Sequence, residues 1–254
     1  MCTVTFLPRS AGYVLAMNRD EQKSRPVALP PAVFRERGQL ALHPSEPSGG
    51  TWISLNDEGV GLALINWFTI PKIRGNRITS RGEVIRVLRS VRSPDELDEF
   101  LLRLPLQEMN GFRLIACFPS GKILAELGWN RRALSRRSFR WEMRQWVSSG
   151  YDELGATRVR GRNFRRAQLQ KSTGTREWLR RIHRSHWPES GAYSICMHRA
   201  DARTVSYTEL EVTRRQCRIL YADGPPCQRG RGEWVEQAVT MGSGLRRSVI
   251  SVGG

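Results

Sequence analysis

The run of elements along the chain, strands then helices, strands, helices and strands again, predicts an α+β fold of two antiparallel sheets packed face to face with helices outside. Three observations carry this. Short apolar runs of strand length recur in both halves, paired about turn residues. Apolar residues at Val84, Val87, Leu88 and Val91, and again at Leu97, Phe100, Leu101 and Leu104, keep helical spacing. No internal repeat, low-complexity linker or composition break divides the 254 residues, so one domain over residues 1–254 is expected. An apolar fraction of 39% and a charged fraction of 26% belong to a chain that folds.

Taken in order, residues 2–7 and 13–17 read as strands about a turn at 8–12, a hairpin that starts at Cys2. Residues 22–47 are rich in Pro, Arg and Glu with little periodicity, which predicts a long ordered loop crossing the surface or the mouth of a site. Gly49-Gly50 then releases the chain into a second hairpin, 51–56 and 60–66. A helix is expected over 82–92. The next begins at Ser93-Pro94-Asp95-Glu96, which supplies an N-cap, a first-turn proline and a capping-box glutamate. Strands are expected at 112–118, 123–127 and 139–147, helices at 163–169 and 175–186, and strands at 194–197, 204–212 and 216–221. From about 225 an irregular tail follows, apart from 233–240.

The net charge of +17 attracts anionic ligands without choosing among them. The basic residues are almost all arginine, spread along the chain with no recognisable nucleic-acid-binding motif, so no specific nucleic-acid partner is expected. The densest stretch, residues 158–181 with Arg160, Arg162, Arg165, Arg166, Arg176, Arg180 and Arg181, reads as a solvated helix face ahead of a specific anion site. No apolar run reaches the roughly 20 residues of a transmembrane helix and no secretory signal opens the chain, which predicts a cytoplasmic protein. The five cysteines, an odd set without disulfide-framework spacing, agree with a reducing compartment. Cys196-Met-His198 and His183-x-x-His186 bring possible ligands close in sequence, yet no repeated pattern defines a zinc geometry, and no metal site is expected.

Cys2 follows Met1 directly, and its small side chain suits removal of the initiator. The product carries a thiol and an α-amine on one residue. An α-amine titrates near 7.7–8.0 and a free thiol near 8.5, so the amine can take the thiol proton without a separate base. Antiparallel pairing brings Asn18-Arg19-Asp20-Glu21 back beside Cys2, where Asp20 can hold the α-amine and Arg19 can favour the thiolate. Neighbours in a strand face opposite sides, so both reach the thiol only if the strand is broken there. Gly49-Gly50-Thr51-Trp52 is a candidate substrate-binding segment. Its paired glycines let backbone approach a ligand or merely turn the chain, and Trp52 floors a pocket or fills core. Trp67 is a further candidate lining residue.

Met1-Cys2, Asn18-Arg19-Asp20-Glu21, Arg25-Pro26, Gly49-Gly50-Thr51-Trp52, Asn56 with Gly59, Asn66, Ser80-Arg81-Gly82 and Asn110-Gly111-Phe112 resemble, in order and spacing, the signature of the NRDE-motif family, also called the transport and Golgi organisation protein 2 family. That family is similar to N-terminal-nucleophile hydrolases of the choloylglycine hydrolase and penicillin acyltransferase type. The resemblance implies a four-layer αββα sandwich, Cys2 as nucleophile, Asn18-x-Asp20 as the Asn-x-Asp segment beside it, and Asn66 as an oxyanion-hole asparagine. It implies a late active-site arginine at Arg203, and it sets Ser149 nearest to the place of a second asparagine. Two functions follow from it. One is cleavage or transfer of an acyl group from a small amide or thioester, with no cofactor required. The other is non-catalytic binding and trafficking of haem, lipid or acyl-CoA on the same fold.

Overall fold

The computed structural model describes residues 2–73, 78–228 and 234–242. Thirteen strands among them form two wholly antiparallel sheets. In the first sheet β1 (Cys2–Arg9) lies between β10 (Arg144–Ser148) and β2 (Gly12–Gln22), and β11 (Ala202–Val212), β12 (Gln216–Asp223) and β13 (Val235–Thr240) continue outward from β2. The second runs in chain order through β3 (Leu29–Glu36), β4 (Gln39–Ser45), β5 (Ile53–Asn56), β6 (Gly61–Asn66), β7 (Phe112–Phe118), β8 (Ile123–Trp129) and β9 (Leu134–Phe139).

Period-two alternation decides which residues face which layer. Val4, Phe6, Leu15 and Met17 point between the sheets and meet Leu42, Ile53, Leu55, Ala63 and Ile115. Each fully buried side chain of this size contributes about 1.5–3 kcal/mol. The opposite face of the second sheet, with Leu62, Leu64, Leu114 and Ala116, is covered by α1 (Gly82–Leu88) and α2 (Pro94–Leu102). The opposite face of the first sheet, with Leu7, Val14, Ala16 and Tyr207, is covered by α3 (Glu153–Gln168) and α4 (Arg176–His183). The layers are therefore helix, sheet, sheet, helix. No described helix is long and apolar enough to cross a membrane.

Several local expectations are corrected. Residues 22–47 do not form a loop: β3 and β4 pair there as a hairpin. The prolines that hid it, Pro30 and Pro31, sit on the sheet's edge strand, where a missing N–H costs no ladder bond. The run 139–147 is not one strand. It breaks between β9 and β10, which lie in different sheets, so this connection ties the two sheets together. Helix α3 begins ten residues before the expected 163, at Glu153, where Asp152 caps it by accepting from the Gly155 N–H at 2.8 Å. Residues 194–197 form no strand. The tail does rejoin the fold through β13, while residues 229–233 and 243–254 lie outside the described residues.

His183 of α4 is fully buried beneath the first sheet, with Nδ1 2.9 Å from Asn18 Oδ1 and Nε2 3.0 Å from Thr5 Oγ1. Burial, with the nearby Arg160 charge, holds its pKa down to about 3, and burial holds His43 down to about 4. An unfolded histidine titrates near 6.5, so below that pH the unfolded chain binds protons that the folded chain refuses. Stability is then fully present above about pH 6.5 and falls as the pH drops toward 3–4, by up to about 1.4 kcal/mol per pH unit for each histidine. Urea midpoints at pH 7 and pH 5 check this. A lower midpoint at pH 5 is expected, and equal midpoints would contradict it.

Candidate active site

A cleft of about 310 Å³ opens where the start of β1, the ends of β2 and β6 and the N-terminus of α1 converge. Cys2, Arg19, Asp20, Thr51, Trp52 and Asn66 line it, together with Glu21, Arg25, Glu46, Arg81 and Asn110. The first hairpin places its part of this set by register: Cys2 sits directly opposite Arg19 on β2 and opposite Ser148 on β10. Direct partners share a face, so Cys2, Arg19 and Ser148 all point between the sheets.

Cys2 does begin the first strand, but its thiol is buried there. Cys2 is only 7% exposed, and burial pushes its pKa up, while a hydrogen bond from the Asp20 backbone N–H favours the thiolate. Arg19 is also buried. Its guanidinium stacks 4.3 Å from the Trp52 ring and reaches Glu46 at 2.5 Å and Glu21 at 3.6 Å. Arg25 joins the same pair of carboxylates, 3.4 Å from Glu46 and 3.7 Å from Glu21. Trp52 thus forms the base on which Arg19 rests.

Asp20, one residue on, starts from the opposite face of β2. Its carboxylate accepts from Thr204 Oγ1 at 2.7 Å and from Arg160 at 3.1 Å, and Arg160 also donates to Thr3 Oγ1 at 2.7 Å. Asp20 and Arg160 are both completely buried. The arginine-rich stretch is therefore not uniformly a solvated face. Arg158, Arg162, Arg165 and Arg166 are exposed, but Arg160 shares the buried stripe of Ala156, Phe164 and Ala167. That spacing, i, i+4, i+8 and i+11, was the signal in the sequence that could have found it.

Asn18 does not reach the cleft. Its amide donates to the carbonyls of His183 and Ile195, both at 2.9 Å, and so fastens β2 to the helical layer. Gly49 and Gly50 do not line the cleft either; their part is structural. Gly49 has a positive φ of 89°, and Gly50 lies against Gly82, where a Cβ would come within 2.9 Å of the Gly50 Cα. Trp67 turns away to cover Gly128, and Arg203 is exposed over a neighbouring groove shared with Glu21, Arg25 and Tyr221. Ser149 spends its hydroxyl on the N–H groups of Tyr151 and Asp152, at 3.3 and 3.4 Å. Ser148 is the serine beside Cys2, and its buried hydroxyl has no partner among the described residues.

Arg81 is the cleft residue that sequence reasoning left without a role. It donates to the Gly111 carbonyl at 3.1 Å, has no carboxylate partner among the described residues, and lies close enough to Cys2 for the sulfur's charge to act on it. Burial lowers its pKa. The cleft therefore combines a buried thiol, Asn66, and a guanidinium that forms no salt bridge among the described residues.

The family model for transport and Golgi organisation 2 matches residues 1–210. The chain belongs to that family. Among curated proteins none matches it by sequence. Solved structures similar to this family member include two variants of conjugated bile acid hydrolase from Clostridium perfringens. One, at 10% identity and a TM-score of 0.55, covers 95% of this chain and 92% of its own. The other, at 11% identity and 0.51, covers 94% and 92%. Penicillin V acylase from Agrobacterium tumefaciens aligns at 12% identity over 88% of this chain and 83% of its own, with a TM-score of 0.49. The bile acid hydrolase likeness establishes an Ntn-hydrolase-type fold.

Away from the cleft, the two histidines of His183-x-x-His186 part company. His183 enters the core, while His186 meets Cys196, His198 and Cys227, whose ligand atoms lie within 4.8 Å of one another and of its own.

Proposed function

We propose that this family member is an N-terminal-cysteine amidohydrolase or acyltransferase, acting once Met1 is removed on a small amide or thioester that carries an anionic group. The observation that carries this reading is the meeting of Cys2, Asn66 and Arg81 in one cleft. Met1 itself lies outside the described residues. With it gone, the α-amine takes the thiol proton and the sulfur attacks the acyl carbon. Asn66, with a backbone N–H, stabilises the oxyanion, and the amine returns the proton to the leaving nitrogen or sulfur as that bond breaks. Water or an acceptor amine then releases the acyl group from Cys2. Arg81 holds the substrate's anionic group, since Arg19 and Arg25 are already paired with Glu21 and Glu46.

Haem carriage has little to support it. Among the described residues the cleft lining holds neither histidine nor methionine for axial ligation, and Trp67, a candidate lining residue, covers Gly128 instead.

The test is a limiting acyl electrophile applied to protein whose intact mass shows Met1 absent, followed by peptide mapping. Acylation at Cys2 is expected despite its burial, because the cleft delivers a small electrophile to the sulfur. Labelling at Cys117, Cys196, Cys217 or Cys227 with Cys2 untouched would show that the nucleophile position is inert.

A further inference from the structure

Four side chains from three separate stretches converge behind the Asp20 end of β2. His186 follows α4, Cys196 and His198 lie on the segment leading into β11, and Cys227 follows β12. Their ligand atoms all lie within 4.8 Å of one another. His198 Nε2 is 3.7 Å from the Cys196 sulfur and 3.4 Å from the Cys227 sulfur. The Nε2 of His186 is buried with no hydrogen-bond partner among the described residues, and such an atom calls for a water or an ion.

We propose that His186, Cys196, His198 and Cys227 form a tetrahedral zinc site. Zinc holds thiolate sulfur at about 2.3 Å and imidazole nitrogen at about 2.0–2.1 Å, so tetrahedral geometry sets sulfur and nitrogen ligands about 3.5 Å apart. The two sulfur–nitrogen distances here, 3.4 and 3.7 Å, bracket that value. Two thiolates balance the dication, and a mixed sulfur and nitrogen set suits zinc over the oxygen-seeking cations. Four protein ligands leave no open position, which makes the site structural.

The neighbouring hydrogen bonds say what it would hold in place. The same segment gives the Ile195 carbonyl to Asn18 and the Ala192 carbonyl to Arg160, and Met197 exchanges bonds with Thr204. Thr204 and Arg160 in turn hold the Asp20 carboxylate. The metal fastens the scaffold behind Asp20 and takes no part in chemistry at the cleft.

Metal analysis of the untagged full chain, grown with zinc and purified without chelator, tests this. One equivalent of zinc per chain is expected. Replacement by cobalt should give a thiolate charge-transfer band together with the visible bands of a tetrahedral centre. Cys227→Ser and His186→Ala should each weaken retention or alter the spectrum, whereas Cys117→Ser, on a strand remote from the cluster, should not. If a variant fails to fold, cobalt titration of the metal-stripped wild-type chain decides alone. Substoichiometric zinc after addition of excess and gel filtration, a cobalt spectrum without the thiolate band, or a Cys196–Cys227 disulfide in chain alkylated at lysis would each overturn the site.

Discussion

Replacing Cys2 by alanine is expected to reduce acyl transfer to the background rate, and Asn66→Ala to lower kcat by roughly 10²–10³-fold, the usual loss of one oxyanion donor. The two losses differ in kind. In the proposed mechanism Cys2 supplies the bond-forming atom, so its removal leaves only what binding and the oxyanion site give without a nucleophile. Asn66, in the same proposal, acts as charge develops on the acyl oxygen, so its loss should fall on kcat with KM little changed. Both variants should keep the wild-type circular dichroism. Asn66 is only partly buried at a strand end, and alanine at position 2 removes a single sulfur from the core between the sheets. Steady-state rates on a panel of anionic amides and thioesters give the readout. Wild-type turnover in Cys2→Ala would end the nucleophile assignment. An unchanged kcat in Asn66→Ala alone would move the oxyanion donor elsewhere in the cleft.

The largest effect on stability is expected away from the thiol. Arg160→Met leaves Asp20 buried without its cation, and breaking a fully buried pair from one side costs about 3–5 kcal/mol. For a chain of this length that corresponds to a fall in Tm of roughly 6–20 °C, at about 2–4 °C per kcal/mol. Arg158→Met, on the exposed side of the same helix, should move Tm by less than about 2 °C, as surface substitutions do. The double variant Asp20→Asn with Arg160→Met should recover part of the loss, because no uncompensated charge remains. Thermal unfolding of the three proteins supplies the comparison. An Arg160→Met protein as stable as wild type would mean that Asp20 does not depend on this ion pair.

The features that the sequence disclosed are the ones a local period controls. The first hairpin needs only alternation and a turn, and it puts Cys2 across from Arg19. Asn66 was legible as the end of an apolar strand. Where two local signals competed, reading failed: Pro30 and Pro31 masked an edge strand, and the arginines around Arg160 masked its place in an apolar stripe. Arg203 was placed through the resemblance to N-terminal-nucleophile hydrolases, and it stands exposed over a neighbouring groove. Of the His and Cys cluster the sequence offered His186, Cys196 and His198 as possible ligands, but not their meeting with Cys227, which comes only after α4, β11 and β12 have taken their places.

The approach of Gly50 to Gly82 bears on how wide the cleft can be. The Thr51 N–H and the Gly82 carbonyl are 3.4 Å apart, and no side chain separates the two backbones. At Gly82 the cleft wall is thus bare main chain, part of a seam with Gly50 behind it and adjacent to both Thr51 and Arg81. Under the proposed function, selectivity for larger or smaller acyl groups would be adjusted at Ile78, Leu64 or Asn110 on the rest of the lining. It cannot be adjusted along the seam, where even a methyl group must first push the two chains apart.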